Sequence, residues 1–293
     1  MVMSSRKTFT SFACSVIGAK HIKNGKPCQD FSLCEKHAKY NLIAVADGHG
    51  SDQYFRSDAG SRFAVEALRK CLLNPSVLQA LLKSTQEKER EQIILQLKKS
   101  IVSEWNNLIA EHVKINPFTD DELNAIPAKY ADDYRAGKHT ESAYGSTLIA
   151  AIWTGVFFLA LQIGDGTCVL LNTEAEFSQP VPADEKCFLN VTTSLCDKNV
   201  LEGFRHCFSN NFPVAVIIAT DGIDDCFAGD QKLYDFYKVV LSSFGEKDEE
   251  AAKSELMDYL PRLSEKGSGD DVSIAMIINN EILRSLKIET GNI

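Results

Sequence analysis

Four aspartates share one local setting. Asp47 follows the apolar run LIAVA, Asp165 follows FLALQIG, Asp221 follows AVIIAT, and Asp270 stands just before VSIAMII. Each carboxylate therefore sits where an apolar, strand-like segment starts or stops. If those ends meet at one edge of a fold, three or four like charges converge and need a cation between them. Oxygen ligands with no Cys or His partner favour Mg2+ or Mn2+ over zinc. Two such ions about 4 Å apart can share and acidify a water and brace a phosphate for in-line attack, chemistry that requires no protein nucleophile. Gly48 and Gly222, directly after Asp47 and Asp221, permit tight turns that aim a carbonyl oxygen at a metal. His49 is the one histidine of six beside a candidate ligand. Asp-Gly at a strand end is also an ordinary hairpin turn, so the argument rests on the four aspartates together.

The elements that must carry these residues follow from periodicity. Strands are expected at about 9–18, 30–35 and 40–46, then a helix over 57–73 with Phe63, Ala67, Leu68, Cys71 and Leu72 on one face. A longer helix over 87–112 aligns Ile94, Leu97, Ile101, Trp105, Leu108 and Ile109 in one stripe, which is core patterning with no ligand implied. Residues 114–144 hold two prolines and a glycine among polar residues and read as an irregular insertion or lid. GSTLIAAIW, VFFLALQIG and TCVLLNT follow in close order, joined by the turns TG and DG, and read as an antiparallel meander. Beyond Val214–Ala219 come helices at about 231–245 and 248–265, and two final strands in DDVSIAMII and EILRSLKI. Strands at both ends with helices between them indicate an α+β sandwich of layers, because a doubly wound sheet would alternate strand and helix throughout. No internal repeat or linker divides the 293 residues, so one domain over 1–293 is expected.

Composition narrows the partners. With 44% apolar residues the chain can bury a full core, and 40 acidic against 31 basic residues give a net charge of −9. That balance argues against nucleic acid or an anionic membrane surface as the main partner. Nine cysteines form no CxxC pair, and an odd number cannot all pair within one chain, so free thiols and a cytoplasmic setting are expected. No apolar run reaches the ~18 residues of a membrane span. GxSxG, GxxxxGK, HExxH and GxGxxG are all absent, which removes the usual signatures of hydrolase triads, phosphate loops, zinc proteases and dinucleotide enzymes.

The ordered set PCQDFS, VADGHGS, SDAGSRFAVEAL, GSTLIAAI, LQIGDG, IIATDGIDD and GSGDDVSIAMI resembles the metal-dependent protein phosphatases, the type 2C serine/threonine phosphatases. The resemblance implies a four-layer αββα sandwich of two antiparallel sheets flanked by helices, with two Mg2+ or Mn2+ ions in a cleft at one end. By motif, Asp47 bridges both ions, Gly48 offers its carbonyl, Asp221 and Asp270 complete the set, and Asp165 holds a weaker third ion with Asp221. His49 matches the histidine that protonates the leaving alcohol, a role suited to a group titrating near neutral pH. A metal-bridging hydroxide is then the nucleophile, and a monomer acting on phosphoserine and phosphothreonine proteins is the implied enzyme.

Several positions depart from the pattern. Gln29 stands before Asp30 where the family has Glu before Asp, which removes a charge from an outer, water-mediated contact. Gly25 occupies the place of the phosphate-gripping arginine, leaving Lys23, Lys26 or His21 as substitutes, and a lysine grips phosphate as a point charge without the bidentate fork. Asp271 stands for Asn and Asp224 for Trp, and sequence gives no physical account of either. These departures keep a second reading open: a phosphatase-like module that binds or regulates without turnover.

Overall fold

The apolar runs that end in aspartate form central strands, and they are continuous because both faces of those strands are buried. In a strand successive side chains point to opposite faces. Leu42, Ala44 and Ala46 accordingly enter one apolar cluster and Ile43 and Val45 another. The computed structural model describes residues 9–184 and 192–286.

β1 (Phe9–Val16), α1 (Ala19–Asn24), β2 (Phe31–Lys36) and β3 (Tyr40–Ala46) open the chain, followed by α2 (Ser57–Leu72), α3 (Pro75–Lys83) and α4 (Glu87–Ile115). Next come α5 (Asp120–Asn124), α6 (Ala128–Arg135), β4 (Leu148–Thr154), β5 (Phe158–Ile163), β6 (Thr167–Leu171) and β7 (Phe177–Ser178). The last part holds α7 (Val200–Gly203), β8 (Arg205–Ser209), β9 (Ala215–Ala219), α8 (Asp221–Asp224), α9 (Asp230–Glu246), α10 (Glu249–Lys266), β10 (Val272–Asn279) and α11 (Asn280–Ser285).

Two five-stranded sheets result, ordered β1-β10-β9-β6-β7 and β2-β3-β4-β5-β8, with antiparallel pairing throughout. Their inner faces meet through Ile43, Val45, Ile149 and Ala151 on one side and Val216, Ile218, Ala275 and Ile277 on the other. α2 and α4 cover the outer face of the second sheet, where Leu68 and Trp105 pack with Leu42 and Ile152. On the first sheet α9 and α10 do the same, placing Leu233 and Leu260 with Ile217 and Met276. The expected four layers are all present. No described helix is long and apolar enough to cross a membrane, and the eight cysteines among the described residues are free thiols; Cys187 lies outside them.

Three local expectations need correction. β6 does not extend the β4–β5 hairpin: β8 takes the free edge of β5, and β6 crosses to pair with β9. Gly164 at φ +105° makes the departure possible, because the space of its missing side chain is filled by the Thr147 methyl group. The segment 114–144 is largely helical, with α5, α6 and a 3-10 turn over Thr140–Tyr144. Its start is fixed by a capping box in which Thr119 and Glu122 exchange side-chain-to-backbone bonds. EILRSL forms α11, since Asn279 caps the helix by accepting the Ile282 N–H (3.3 Å) and Ile282, Leu283 and Leu286 turn toward one apolar cluster; residues 287 and 288 of the expected strand lie outside the described residues.

The helical segment is docked on the fold. The Arg56 guanidinium, just before α2, pairs with both oxygens of Glu122 (Nε 2.8 Å, Nη2 2.9 Å). It also donates to the Asn116 and Pro117 carbonyls (2.6 and 3.1 Å) and lies 4.6 Å from the Phe118 ring centre.

Candidate functional site

Strand register gathers the acidic ends. In the first sheet Ala219 of β9 pairs with Ile274 of β10, and Val16 of β1 with Val272. In the second, Ala46 of β3 pairs with Phe31 of β2, and Leu148 of β4 with Ile163 of β5. Asp30, Asp47 and Asp165 therefore leave one sheet at the same end at which Asp221 and Asp270 leave the other, and each acts on the ionisation of at least one of its neighbours.

The turn at 47–49 is held by the start of β4. Asp47 N–H donates to Thr147 Oγ1 (3.0 Å) and the Asp47 carbonyl accepts the Thr147 N–H (2.8 Å). Gly48 forms a bridge to Ser146 and donates its N–H to the Gln29 carbonyl (3.1 Å). A Cβ on Gly48 would lie 2.5 Å from the Ser57 carbonyl oxygen and 2.7 Å from that of Gln29, so backbone crowding alone demands glycine. His49 N–H donates to the Gly145 carbonyl (3.1 Å), its Nε2 lies 2.7 Å from Ser194 Oγ, and the Tyr54 ring meets it edge-on at 4.8 Å.

Burial is the first electrostatic cause at this end. It pushes the Asp47 carboxyl well above the usual range, and Asp30 and Asp221 push it further. Burial and the charges of Asp165, Asp30 and Asp270 bring Asp221 to about 8. Asp30, buried, is raised to about 7 although Thr220 donates to it at 2.8 Å. His49 is lowered by burial, with Asp165 and Asp197 pulling the other way. Such carboxylates hold their protons unless a cation compensates them, and an all-oxygen donor set suits a hard divalent ion. Gln29 adds a second indication. Its amide nitrogen donates to Ser57 Oγ (2.6 Å) and the His49 carbonyl (3.3 Å), while its Oε1 is buried with no partner, an acceptor suited to a water in a hydrated ion's shell.

The other residues named from sequence fall in different places. Lys26 is exposed, and its Nζ donates to the Gly50 carbonyl (3.2 Å), one residue from His49. Lys23 is exposed on α1. His21 turns inward, with Nδ1 2.9 Å from Asp271 Oδ1 and Nε2 3.9 Å from Asp270 Oδ1. Asp271 now has a physical account: Oδ1 accepts the Gly18 N–H and Oδ2 the Gln29 N–H (2.6 Å each), two backbone donors on two oxygens where Asn would offer one oxygen, and Oδ1 also lies 2.9 Å from His21 Nδ1. Asp224 accepts from Thr167 Oγ1 at 3.1 Å, and burial raises its carboxyl well above the usual range. Among the described residues, His21, Asp270 and Asp271 place ligand atoms within 4.8 Å of one another; Asp47 and Asp221 are not drawn into so tight a group with Asp270.

Sequence reasoning missed three neighbours. Asp225, four residues after Asp221, is raised by burial and by Asp165 and Asp270 and lowered by Lys20. The IDD run after the DG pair held that signal. Lys20 itself backs onto Gly269. Ser194 gave no sequence signal at all.

Two antiparallel sheets between helical layers, with acidic strand ends at one edge, form the fold of PP2C-type phosphatases. The model of the family described as protein phosphatase 2C matches residues 17–261, and the chain belongs to that family. The match ends before Asp270. No curated protein sequence matches the chain. Among solved structures, the catalytic domain of the serine threonine protein phosphatase PstP in complex with two manganese ions is 16% identical, with TM-score 0.55 over 92% of this chain and 97% of that one. PppA, a key regulatory component of T6SS in Pseudomonas aeruginosa, is 18% identical, with TM-score 0.58 over 93% and 98%. The S. agalactiae serine/threonine phosphatase is 14% identical, with TM-score 0.58 over 92% and 99%. At these identities the likeness carries the fold.

Proposed function

We propose that the protein is a Mg2+- or Mn2+-dependent phosphatase of phosphoserine and phosphothreonine in proteins, built as one domain on which residues 114–144 are docked. The observation that carries this reading is the set of mutually repelling carboxyls at the buried Asp30 and the half-buried Asp47 and Asp221, beside the orphaned Gln29 Oε1. Asp47, the Gly48 carbonyl, Asp221 and Asp270 would hold two ions, and Asp165 with Asp221 a weaker third. When bound, such ions neutralise phosphate charge and acidify water. The chain itself positions and protonates: His49 gives a proton to the departing serine or threonine oxygen, and Asp30, braced by Thr220, backs Asp47.

Lys26 is the best-placed substitute for the missing arginine, since it reaches the Gly50 carbonyl while Gly25 has nothing within 4 Å of its missing side chain and His21 is engaged by Asp271. Lys26→Ala should raise KM for a phosphothreonine peptide about fivefold with kcat little changed, as expected when a point-charge contact made equally in ground and transition states is lost. Steady-state kinetics separates the two constants, and a fall in kcat alone would reject the assignment.

Phosphate release from a phosphothreonine peptide and from an aryl phosphate, measured with Mn2+, with Mg2+ and with excess EDTA, tests the reading. Release that requires metal supports it. A folded protein that binds Mn2+ but releases nothing from either substrate would favour the non-catalytic binding module, for which the neutral Gln29 and the open Gly25 speak.

A further inference from the structure

His49 is held through one of its two ring nitrogens by a residue from far along the chain. Ser194, 3% exposed, places Oγ 2.7 Å from His49 Nε2, and the same oxygen lies 3.2 Å from the Ser146 carbonyl oxygen. A serine hydroxyl has one proton, and a carbonyl oxygen can only accept. With that proton directed at Ser146, Oγ is free to accept from Nε2–H and both contacts are favourable. With it directed at Nε2, two oxygen lone pairs would face each other at 3.2 Å. The Cys196 N–H, at 3.4 Å, also approaches Oγ as a donor, and Cys196 Sγ lies 3.2 Å from it, a contact in which either atom can donate.

We infer that Ser194 is a positioning residue that holds the His49 ring by its Nε2–H and so fixes the neutral tautomer with a bare Nδ1. The mount is stiff. Ser194 N–H donates to Asp197 Oδ2 (2.9 Å), and Leu195 N–H donates to the Ser146 carbonyl (2.9 Å). Residues 145–147 thus anchor His49 from two directions: Gly145 receives its backbone N–H, and Ser146 carries the turn that presents Ser194. Tyr54 closes on the ring edge-on. A defined tautomer matters to an acid, because the proton must leave from a nitrogen of fixed direction.

The inference rests on the reading of His49 as the proton donor to the leaving alcohol, and its test has one readout independent of that reading. Long-range 1H–15N correlation of the wild-type histidines should show His49 with a protonated Nε2 and a bare Nδ1 when neutral, and Ser194→Ala should mix the tautomers. A wild-type His49 protonated at Nδ1 would overturn the inference whether or not the protein has activity.

The second readout uses the leaving group. A phenolate departs without protonation, whereas a threonine alkoxide needs it, and acid catalysis contributes ~10²–10⁴-fold. Ser194→Ala should therefore lower the ratio of phosphothreonine-peptide to aryl-phosphate turnover by about tenfold or more, and Ser194→Thr, which keeps the hydroxyl, should restore it. Equal loss on both substrates would mean a merely structural role and would reject the inference. Absence of release from both substrates by the wild type would count against the phosphatase reading itself, and the tautomer spectrum would then decide the role of Ser194.

Discussion

Asp221→Asn is expected to lower metal-dependent phosphate release by about a thousandfold or more and, at the same time, to stabilise the metal-free protein. The two effects have one cause. Asp221 opens α8 at the end of β9, where burial and then the charges of Asp165, Asp30, Asp270 and Asp225 push its pKa to about 8. An amide of nearly the same shape removes that repulsion and removes the anionic ligand with it. A carboxylate kept for packing would give the reverse pattern, with stability lost and activity spared. Release assays and calorimetry in EDTA decide the matter, and unchanged turnover would reject Asp221 as a ligand.

The same shifts fix a pH dependence. Asp30 and Asp221 titrate near 7 and 8 in the folded protein, against an ordinary aspartate value of ~3.9. Between about pH 4 and pH 8 these two carboxyls therefore hold more protons in the folded chain than in the unfolded one, and their contribution makes metal-free stability fall as pH rises through that window. The melting temperature in EDTA should be lower at pH 8 than at pH 5.5 by about 5 °C or more. Saturating Mn2+ should shrink the difference, because a cation takes over the role of the lost protons. A metal-free melting temperature that rises with pH over this range would contradict the carboxylate cluster.

The layers and the acidic edge were legible for one reason: a carboxylate cannot sit inside an apolar strand, so the residue at which LIAVA or AVIIAT stops marks the sheet end. Which sheet each strand joins was not legible. The DG turn before β6 suits a hairpin, yet in the fold β8 pairs with the edge of β5 and β6 pairs with β9. α5 was written in the sequence as TDDE, but the prolines and glycine around it carried more weight. The support of the site was the least visible part. Ser194 reaches His49 across 145 residues, and Asp271 reaches Gln29 across 242, contacts that follow from the finished fold and from no local pattern.

Gly60→Ala should be among the most damaging single-methyl changes in the chain, costing about 3 kcal/mol or more and lowering the melting temperature by roughly 6–10 °C. Gly60 lies in the first turns of α2, where a Cβ would overlap the Tyr144 carbonyl oxygen and stand 2.7 Å from its carbon and 3.1 Å from its Cα. All three are backbone atoms, so no rotamer change relieves the clash. Tyr144 is fully buried, and the Gly60 carbonyl accepts the Trp105 Nε1–H at 3.0 Å, which fixes α2 against α4 as well. Neither neighbour can yield without opening the outer core. The displacement would also travel one residue, to Gly145, whose carbonyl receives the His49 N–H, so turnover should fall along with stability. Gly50→Ala provides the comparison: its Cβ would meet the Gln29 side chain at 3.8 Å, an ordinary contact, and stability should be nearly unchanged. Calorimetry on both variants separates crowding from a general intolerance of alanine, and equal melting temperatures would show that α2 does not approach Tyr144 as closely as the fold requires.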